Sequence, residues 1–259
     1  MRLALGQLRA VDDVPTNLGL VGDVVGQAAD AGADLLLLPE YAMYERARVD
    51  ASFGEVAEPL DGRFGTAVAE LARVRALPVV IGMVERDPRG GLPFNTLAAF
   101  GAGGELLGSY RKIHLFDSFG FRESEWIAAA PEPLPVVVPV AEARVGLMTC
   151  YDLRFPELAR ALVDDGADVL AACSSWVPGP HKLQHWDVLA RARAIENGAV
   201  VAAVTQAQPI SIGRSLVVDP DGTVIAQAGL EAQLLVADID LAVVARARTR
   251  DPGYRSRRL

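Results

Sequence analysis

Short, wholly apolar runs alternate with amphipathic stretches along most of this chain, and this alternation restricts the fold more than any other feature of the sequence. Apolar runs of this length are typical of strands buried on both faces, whereas the stretches between them have the period of helices that pack on a sheet. In the first half of the chain, the pattern predicts strands at residues 3–7, 34–38 and 78–84, and helices at residues 16–30, capped by Thr16, and 62–76. We therefore expect an α/β fold in which helices cover the strands.

The middle of the chain departs from this alternation. Residues 95–100 and 105–112 flank a glycine-containing turn and predict a hairpin, so part of the sheet should be antiparallel. Residues 118–139 contain four prolines and predict a loop over the surface or over a site. The alternation then returns and predicts strands at 144–149, 168–172, 200–204 and 234–238, helices at 155–164 and 182–197, a hairpin of 215–218 with 223–226, and a short C-terminal helix. Because no linker interrupts this order, we predict one domain over residues 1–259.

Composition restricts the class of protein. With 259 residues, of which 51% are hydrophobic, the chain can bury a large core. A net charge of −8 and a pI near 5.0 argue against general attraction to nucleic acid or anionic lipid. The basic run at 246–257 is a local exception that suits a solvated terminal helix or an oligomer contact. No run of about eighteen apolar residues occurs, so we expect no membrane partner and a cytoplasmic location. Two cysteines and three histidines argue against a disulfide framework and a metal site.

Three polar residues interrupt the apolar ends of predicted strands. Glu40 follows the run at 35–39, Lys112 closes the first hairpin, and Cys150 closes the strand at 144–149. Active sites of open α/β sheets gather at strand carboxyl ends, and a carboxylate, an ammonium and a thiol form a set for acyl transfer. A helix that starts directly after Cys150 would stabilise its thiolate. The alternative is an ion pair between Glu40 and Lys112 near an inert, buried cysteine.

The segments around these residues resemble the nitrilase superfamily of carbon–nitrogen hydrolases. The matching motifs are Pro-Glu at 39–40, Tyr-Arg-Lys-Ile-His-Leu-Phe-Asp at 110–117 and Cys-Tyr-Asp-Leu-Arg-Phe-Pro-Glu at 150–157, with shorter matches at 95–96, 185–197 and 213–222. The resemblance therefore covers nearly the whole chain. It implies a four-layer α-β-β-α sandwich, a Glu–Lys–Cys catalytic set that needs no cofactor, and a homodimer or higher homo-oligomer.

The resemblance also implies a role for each residue. Cys150 would be the nucleophile and Glu40 the general base, because a thiol attacks only after it has lost its proton. Lys112 would stabilise the tetrahedral intermediate, helped by the backbone N–H of Tyr151. A second glutamate supports this set in the superfamily, and Glu123 matches it, although the sequence departs from the family pattern directly afterwards. The alternative for Glu123 is an exposed loop glutamate.

The same motifs indicate the reaction. The residues after the cysteine look like those of the amidase and carbamoylase branches, and the run at 112–117 is similar to ω-amidases and to amidases that act on deaminated glutathione. We therefore expect a small-molecule amide as substrate and ammonia as a product. The alternatives are hydrolysis of an N-carbamoyl amino acid or a nitrile, acyl transfer, or a binding protein without catalysis.

Two further residues bear on the substrate. Arg154 matches a position that carbamoylases of the superfamily use for the substrate's carboxylate, which favours a small ω-amide of a carboxylic acid. The alternative is an ion pair of Arg154 with Glu157 or Asp152. Trp176 matches an aromatic position near the site, where it would form a wall of the substrate pocket, and the alternative for it is core packing.

Overall fold

The computed structural model describes residues 1–256 and 258, and the strands of these residues form two six-stranded sheets. In chain order the strands are β1 (Arg2–Gln7), β2 (Leu35–Leu37), β3 (Val79–Glu85), β4 (Phe94–Phe100), β5 (Leu106–Arg111), β6 (Val137–Val140), β7 (Ala143–Thr149), β8 (Val169–Ser174), β9 (Val200–Thr205), β10 (Leu216–Val218), β11 (Val224–Gln227) and β12 (Gln233–Asp238). The first sheet has the order β12-β1-β2-β3-β4-β5 and the second β11-β10-β9-β8-β7-β6. Both mix parallel and antiparallel pairs, as the predicted hairpins require.

Six α-helices occur among the described residues, and all except the second correspond to helices that the sequence predicts. They are α1 (Val14–Asp30), α2 (Ser52–Val56), α3 (Arg63–Arg75), α4 (Pro156–Asp164), α5 (Lys182–Asn197) and α6 (Ala242–Arg250). Within the described part of the chain, three 3-10 turns lie at Glu123–Glu125, Cys150–Arg154 and Pro252–Arg255. Among the described residues, no helix is long and apolar enough to cross a membrane.

Two hydrophobic clusters define four layers. Residues of β2 alternate between them, because successive side chains of a strand point to opposite faces. Leu36 packs with α1 and α3 on the outer face of the first sheet. Leu35 and Leu37 pack in a cluster that continues through the second sheet to α4 and α5. The fold is therefore an α-β-β-α sandwich, which confirms the predicted fold class.

The start of α1 differs from the prediction. The helix begins at Val14, and the carboxylate of Asp13 accepts a hydrogen bond from the backbone N–H of Thr16 at 2.9 Å. Asp13 is therefore the cap, as expected for an aspartate at this position, and the predicted cap at Thr16 is wrong. The sequence pattern also fails to predict α2 and β6, and β6 overlaps the end of the predicted loop at 118–139.

The segment after β7 also differs from the prediction. A 3-10 turn, Cys150–Arg154, follows the strand, and Phe155 is extended before α4 begins at Pro156. Proline suits this first helical position because its fixed φ is already helical. The prediction that a helix starts directly after Cys150 is therefore wrong, and Arg154 does not lie in α4.

The basic run at the C-terminus is attached to the body of the molecule. Arg248 on α6 donates hydrogen bonds to the backbone carbonyls of Gly198 at 3.0 Å and Ala167 at 2.6 Å. An oligomer contact at this run stays a prediction. Arg257, which belongs to the run, lies outside the described residues.

Candidate active site

The ends of three strands bring polar side chains together between the sheets. Because β3, β4 and β5 pair antiparallel in succession and β2 is parallel to β3, strands β2 and β5 end at the same edge of the first sheet. Glu40 follows β2, Lys112 follows β5, and the Lys112 ammonium donates to Glu40 Oε1 at 2.8 Å. Cys150 follows β7 of the second sheet. The three residues leave their strands at carboxyl ends, as the sequence predicts.

The backbone of Ser175 lies between Glu40 and Cys150. Its N–H donates to Glu40 Oε2 at 2.7 Å, and its carbonyl accepts a hydrogen bond from Cys150 Sγ at 3.7 Å. Ser175 comes directly after β8, which is the parallel neighbour of β7. One carboxylate oxygen of Glu40 thus contacts Lys112. The other contacts the backbone of Ser175, which the Cys150 thiol also contacts.

Glu123 completes a buried group around Lys112. Although it lies in the proline-rich connection, it is only 5% exposed. Its Oε2 accepts from Lys112 Nζ at 2.9 Å and from the backbone N–H of Phe116 at 2.6 Å. Its Oε1 accepts from Tyr41 Oη at 2.7 Å and from Asn95 Nδ2 at 3.0 Å. The alternative of an exposed loop glutamate is therefore wrong.

Opposite charges keep this buried lysine ionised. Burial alone would lower the pKa of Lys112, but the carboxylates of Glu123 and Glu40 outweigh it and raise the pKa well above its usual range. Burial alone would raise the pKa of Glu123, and Lys112 outweighs it and lowers that pKa. Lys112 is therefore a cation at neutral pH, held between two carboxylates.

The resting thiol of Cys150 is protonated. Burial, and then the nearby charge of Glu40, raise the pKa of Cys150 well above its usual range, while Lys112 and Lys182 act in the opposite direction. The prediction that the site stabilises the thiolate is therefore wrong for the resting state, because burial and the Glu40 carboxylate outweigh the two lysines. Any attack by this sulfur needs a base to take its proton.

Asp152 holds the turn that carries Cys150. Cys150 has a φ of 47°, in the left-handed region that non-glycine residues avoid. The carboxylate of Asp152, which is fully buried, accepts from the backbone N–H of Thr149 at 2.9 Å, from Tyr110 Oη at 2.6 Å and from the N–H of His114 Nδ1 at 2.7 Å. Tyr110 and His114 flank Lys112 in sequence. Asp152 therefore connects the Cys150 turn to the segment that carries the lysine.

A cavity of about 870 Å³ opens onto these side chains. Its walls and floor include Glu40, Lys112, Glu123, Cys150, Ser175, Phe116, Phe119, Phe121, Trp126 and Val177. Arginines stand among the lining residues further out, at Arg46, Arg48 and Arg122. Such a volume, with apolar walls and a few convergent polar groups, is typical of a small-molecule site. Within residues 1–256 and 258, no group of three or more His, Cys, Asp and Glu side chains is arranged to hold a metal ion.

Residues 2–249 match the family model of the carbon–nitrogen hydrolases. The chain belongs to this family. The resemblance to the nitrilase superfamily that the sequence motifs indicate is thereby confirmed.

Proteins of similar sequence span almost the same length. The chain is 44% identical to hydrolase Rv0480c of Mycobacterium tuberculosis, over 96% of this chain and 93% of that protein. It is 35% identical to the deaminated glutathione amidase of Escherichia coli, over 100% of this chain and 97% of that protein. It is 34% identical to the human omega-amidase NIT2, over 99% of this chain and 95% of that protein.

Solved structures show the same fold. Saccharomyces cerevisiae Nit3, a member of branch 10 of the nitrilase superfamily, matches with a TM-score of 0.87 at 28% identity, over 97% of this chain and 94% of that one. A variant of the amidase of Nesterenkonia sp. AN1 matches with a TM-score of 0.80 at 28% identity, over 96% of this chain and 97% of that one. This chain is therefore an amidase-like hydrolase of the nitrilase superfamily that acts on carbon–nitrogen bonds other than peptide bonds.

The residues predicted to bind substrate do not line the cavity of this hydrolase. Trp176 is 1% exposed and donates from Nε1 to the Lys182 carbonyl at 2.9 Å, so it is packed in the core beside the site. The half-buried Tyr151 packs its ring against Phe116, which does line the cavity, at 5.1 Å between centroids. The role of the Tyr151 backbone N–H stays a prediction.

Arg154 lies next to the core rather than in the cavity wall. Its Nη2 is 3.1 Å from His185 Nδ1, and its guanidinium lies 5.2 Å from the ring centroid of Trp176. In the part of the chain that the structure describes, Arg154 has no ion pair, and the predicted alternative of a pair with Glu157 or Asp152 is not observed. The role of Arg154 in substrate binding also stays a prediction.

Sequence reasoning gave no positioning role to four residues that hold the site together. Tyr41 and Asn95 bind Glu123, Ser175 binds Glu40, and Asp152 binds Tyr110. One signal was available for Asn95, because it interrupts β4, a strand in which every residue is buried. The other three follow from contacts between segments that are far apart in the sequence.

Proposed function

We propose that this hydrolase releases ammonia from a small carboxylated amide through a thioester on Cys150. The observation that carries the proposal is the buried group of Glu40, Lys112 and Glu123 beside that thiol at the floor of the cavity. A carboxylate base, a fixed cation and a nucleophile are the parts that acyl transfer from an amide requires. No cofactor enters this mechanism.

The first half of the proposed reaction forms the thioester. Glu40 takes the proton of Cys150, and the sulfur attacks the amide carbon. The carbonyl oxygen becomes an oxyanion, which the Lys112 ammonium and the Tyr151 backbone N–H stabilise. Within the described residues, no acceptor for that N–H is seen. Glu40 then gives its proton to the nitrogen, the carbon–nitrogen bond breaks, and ammonia leaves.

The second half releases the acid. Glu40, now a carboxylate again, takes a proton from a water molecule as it attacks the thioester carbon. The same cation stabilises the second tetrahedral intermediate. The carbon–sulfur bond breaks, the sulfur recovers the proton from Glu40, and the carboxylic acid leaves. Glu123 holds Lys112 in place and keeps it charged throughout.

Relatives support an amide over the other bonds of this class. In a structure of an amidase variant from Nesterenkonia sp. AN1, acrylamide is joined to the active site cysteine by Michael addition. Two of the similar proteins are an omega-amidase and a deaminated glutathione amidase. We rank hydrolysis of an N-carbamoyl amino acid or of a nitrile next, and acyl transfer or binding without catalysis last.

A substrate panel tests the proposal. Purified hydrolase is given short amides, nitriles and N-carbamoyl amino acids, each with and without a free carboxylate, and ammonia release is measured. We expect carboxylated amides to be cleaved fastest. Cys150→Ala should abolish release from all of them, whereas Cys173→Ala, which alters the other buried cysteine, should not. Faster cleavage of nitriles or carbamoyl compounds, or full activity of a folded Cys150→Ala protein, would contradict the proposal.

We extend the proposal to the whole molecule. Residues 1–259 would form one catalytic domain that assembles as a homodimer or a higher homo-oligomer and works in the cytoplasm on a small molecule, as the family resemblance implies. Arg154 would contribute to binding of the substrate's carboxylate, and Trp176 would support the pocket wall. Sedimentation velocity of the purified chain tests the assembly, since a monomer at micromolar concentration would contradict it.

A further inference from the structure

Lysine occurs at only two positions of this chain, although it has 25 basic residues, and both positions are buried beside Cys150. Lys112 is 2% exposed and is paired with two carboxylates. Lys182 is 5% exposed, and in the described part of the chain no carboxylate pairs with it. Its charge is close enough to Cys150 to lower the pKa of that thiol, against the stronger effect of burial. The second lysine is therefore a buried cation with no anion.

Aromatic rings surround the Lys182 ammonium. Nζ lies 4.4 Å from the ring centroid of Phe116, 4.9 Å from that of Phe119 and 4.9 Å from that of Trp176. Phe116 and Phe119 also line the cavity. Among the described residues no hydrogen-bond acceptor is seen for the ammonium, and Lys182 is 5% exposed. Lys182 itself does not line the cavity, and its ammonium lies against two rings that do.

Fold stability does not explain this position. An unpaired buried ammonium carries a desolvation cost, which the ring contacts only partly offset. Lys182 is also the first residue of the 16-residue helix α5, where the helix dipole disfavours a positive charge. Burial, together with the charges of Arg154 and Lys112, lowers the pKa of Lys182. An anion bound beside the ammonium would relieve all of these effects.

A second cation, the guanidinium of Arg154, contacts two of the same rings. The Arg154 guanidinium is 5.8 Å from the ring centroid of Phe119 and 5.2 Å from that of Trp176, the two rings that Lys182 also contacts. Its Nε is buried and has no hydrogen-bond partner among the described residues. Within the described residues, two cations without a paired carboxylate therefore contact the rings of Phe119 and Trp176.

We propose that Lys182 is the residue that binds the substrate's carboxylate, with Arg154 as a second cation behind it. The amide would lie over Cys150, and the acid end would extend along Phe116 and Phe119 to the Lys182 ammonium. This inference rests on the proposed function and deepens it, because it assigns the preference for carboxylated amides to a specific side chain.

The test compares two amides of the same shape. Succinamate carries a carboxylate, and 4-methylpentanamide replaces that carboxylate with an isopropyl group. The quantity measured is the ratio of kcat/KM for succinamate to kcat/KM for 4-methylpentanamide. We expect Lys182→Met to lower this ratio by about 10- to 100-fold, as loss of a hydrogen bond between charged groups does, mainly through KM. Lys182→Arg, which keeps the charge, should retain most of the ratio.

Two controls separate this role from others. Arg73→Met removes an exposed positive charge from α3, away from the cavity lining, and it should leave the ratio unchanged. Arg154→Met should lower the ratio less than Lys182→Met. A ratio that is unchanged in Lys182→Met, or that falls only in Arg154→Met, would overturn the proposal. If wild type cleaved both amides equally well, the proposal for Lys182 would be overturned and the amidase function would stand. If wild type cleaved neither amide but hydrolysed a nitrile, the proposed amidase function itself would be overturned.

A labelling experiment covers the case in which Lys182→Met does not fold. Wild-type hydrolase is treated with formaldehyde and cyanoborohydride, and peptide mass spectrometry follows methylation of each of the two lysines. Succinate should protect Lys182 at concentrations at which 4-methylpentanamide does not. Equal labelling of Lys182 with and without succinate would contradict the proposal.

Discussion

Replacing Glu123 with glutamine removes one of the two carboxylates that hold Lys112. Both oxygens of Glu123 accept hydrogen bonds: from Tyr41 and Asn95 on Oε1, and from the Phe116 N–H and Lys112 on Oε2. Whichever way the amide group of glutamine is turned, its NH₂ faces at least one group that can only donate: Asn95 Nδ2 on one side, or the Phe116 N–H and Lys112 on the other. The variant loses the ion pair and leaves buried donors without an acceptor.

The expected cost follows from this geometry. Breaking a buried, hydrogen-bonded ion pair from one side costs about 3–5 kcal/mol. For a chain of this length, such a loss lowers Tm by roughly 6–20 °C. The protein should still fold, because domains have about 5–15 kcal/mol of stability, but turnover should fall sharply because Lys112 is no longer fixed.

The assay is urea unfolding followed by circular dichroism, with thermal unfolding as a second measurement. The matched control is Glu125→Gln, on the same 3-10 turn, whose exposed carboxylate is 3.8 Å from the guanidinium of Arg122. That variant should unfold within about 0.5 kcal/mol of wild type, as surface changes do. A Glu123→Gln protein as stable as the control would refute the account of the buried charge group.

The remaining predictions concern the other members of the site. Glu40→Gln and Lys112→Ala should each lower kcat by several orders of magnitude in steady-state assays. The double variant should be little worse than either single variant, because the two residues act as a unit. Additive losses would argue for independent roles. The raised pKa of Cys150 means that little thiolate exists at neutral pH. Alkylation of Cys150 by iodoacetamide, measured by peptide mass spectrometry, should therefore keep rising above about pH 9, beyond the pKa of a free thiol near 8.5. A plateau below neutral pH would show instead that the resting site holds a thiolate.

The sequence contained enough to predict the fold and the four residues at the cavity floor. Apolar runs mark the strands directly, and Glu40, Lys112 and Cys150 stand out because polar residues rarely end such runs. The family resemblance added Glu123. Their positions in the chain say nothing about distance, however, and only the structure shows that one lysine contacts both glutamates.

Other features depend on packing that no local pattern records. The thiol pKa is set by burial and by a carboxylate 110 positions away in the chain, so a rule about helix starts gave the wrong direction. The 3-10 turn at Cys150–Arg154 depends on Asp152, which binds Tyr110 from a different sheet. Lys182 looked like an ordinary first residue of a helix. Its significance comes from the three rings around it and from the lack of a paired carboxylate among the described residues.

Trapping the covalent intermediate tests the central claim most directly. Hydrolase is mixed briefly with succinamate, quenched in acid and analysed by mass spectrometry of the intact chain and of its peptides. The account predicts added mass equal to the succinyl group, carried by the peptide that contains Cys150, and none in Cys150→Ala. A burst of succinate with no adduct on Cys150 would contradict the thioester mechanism.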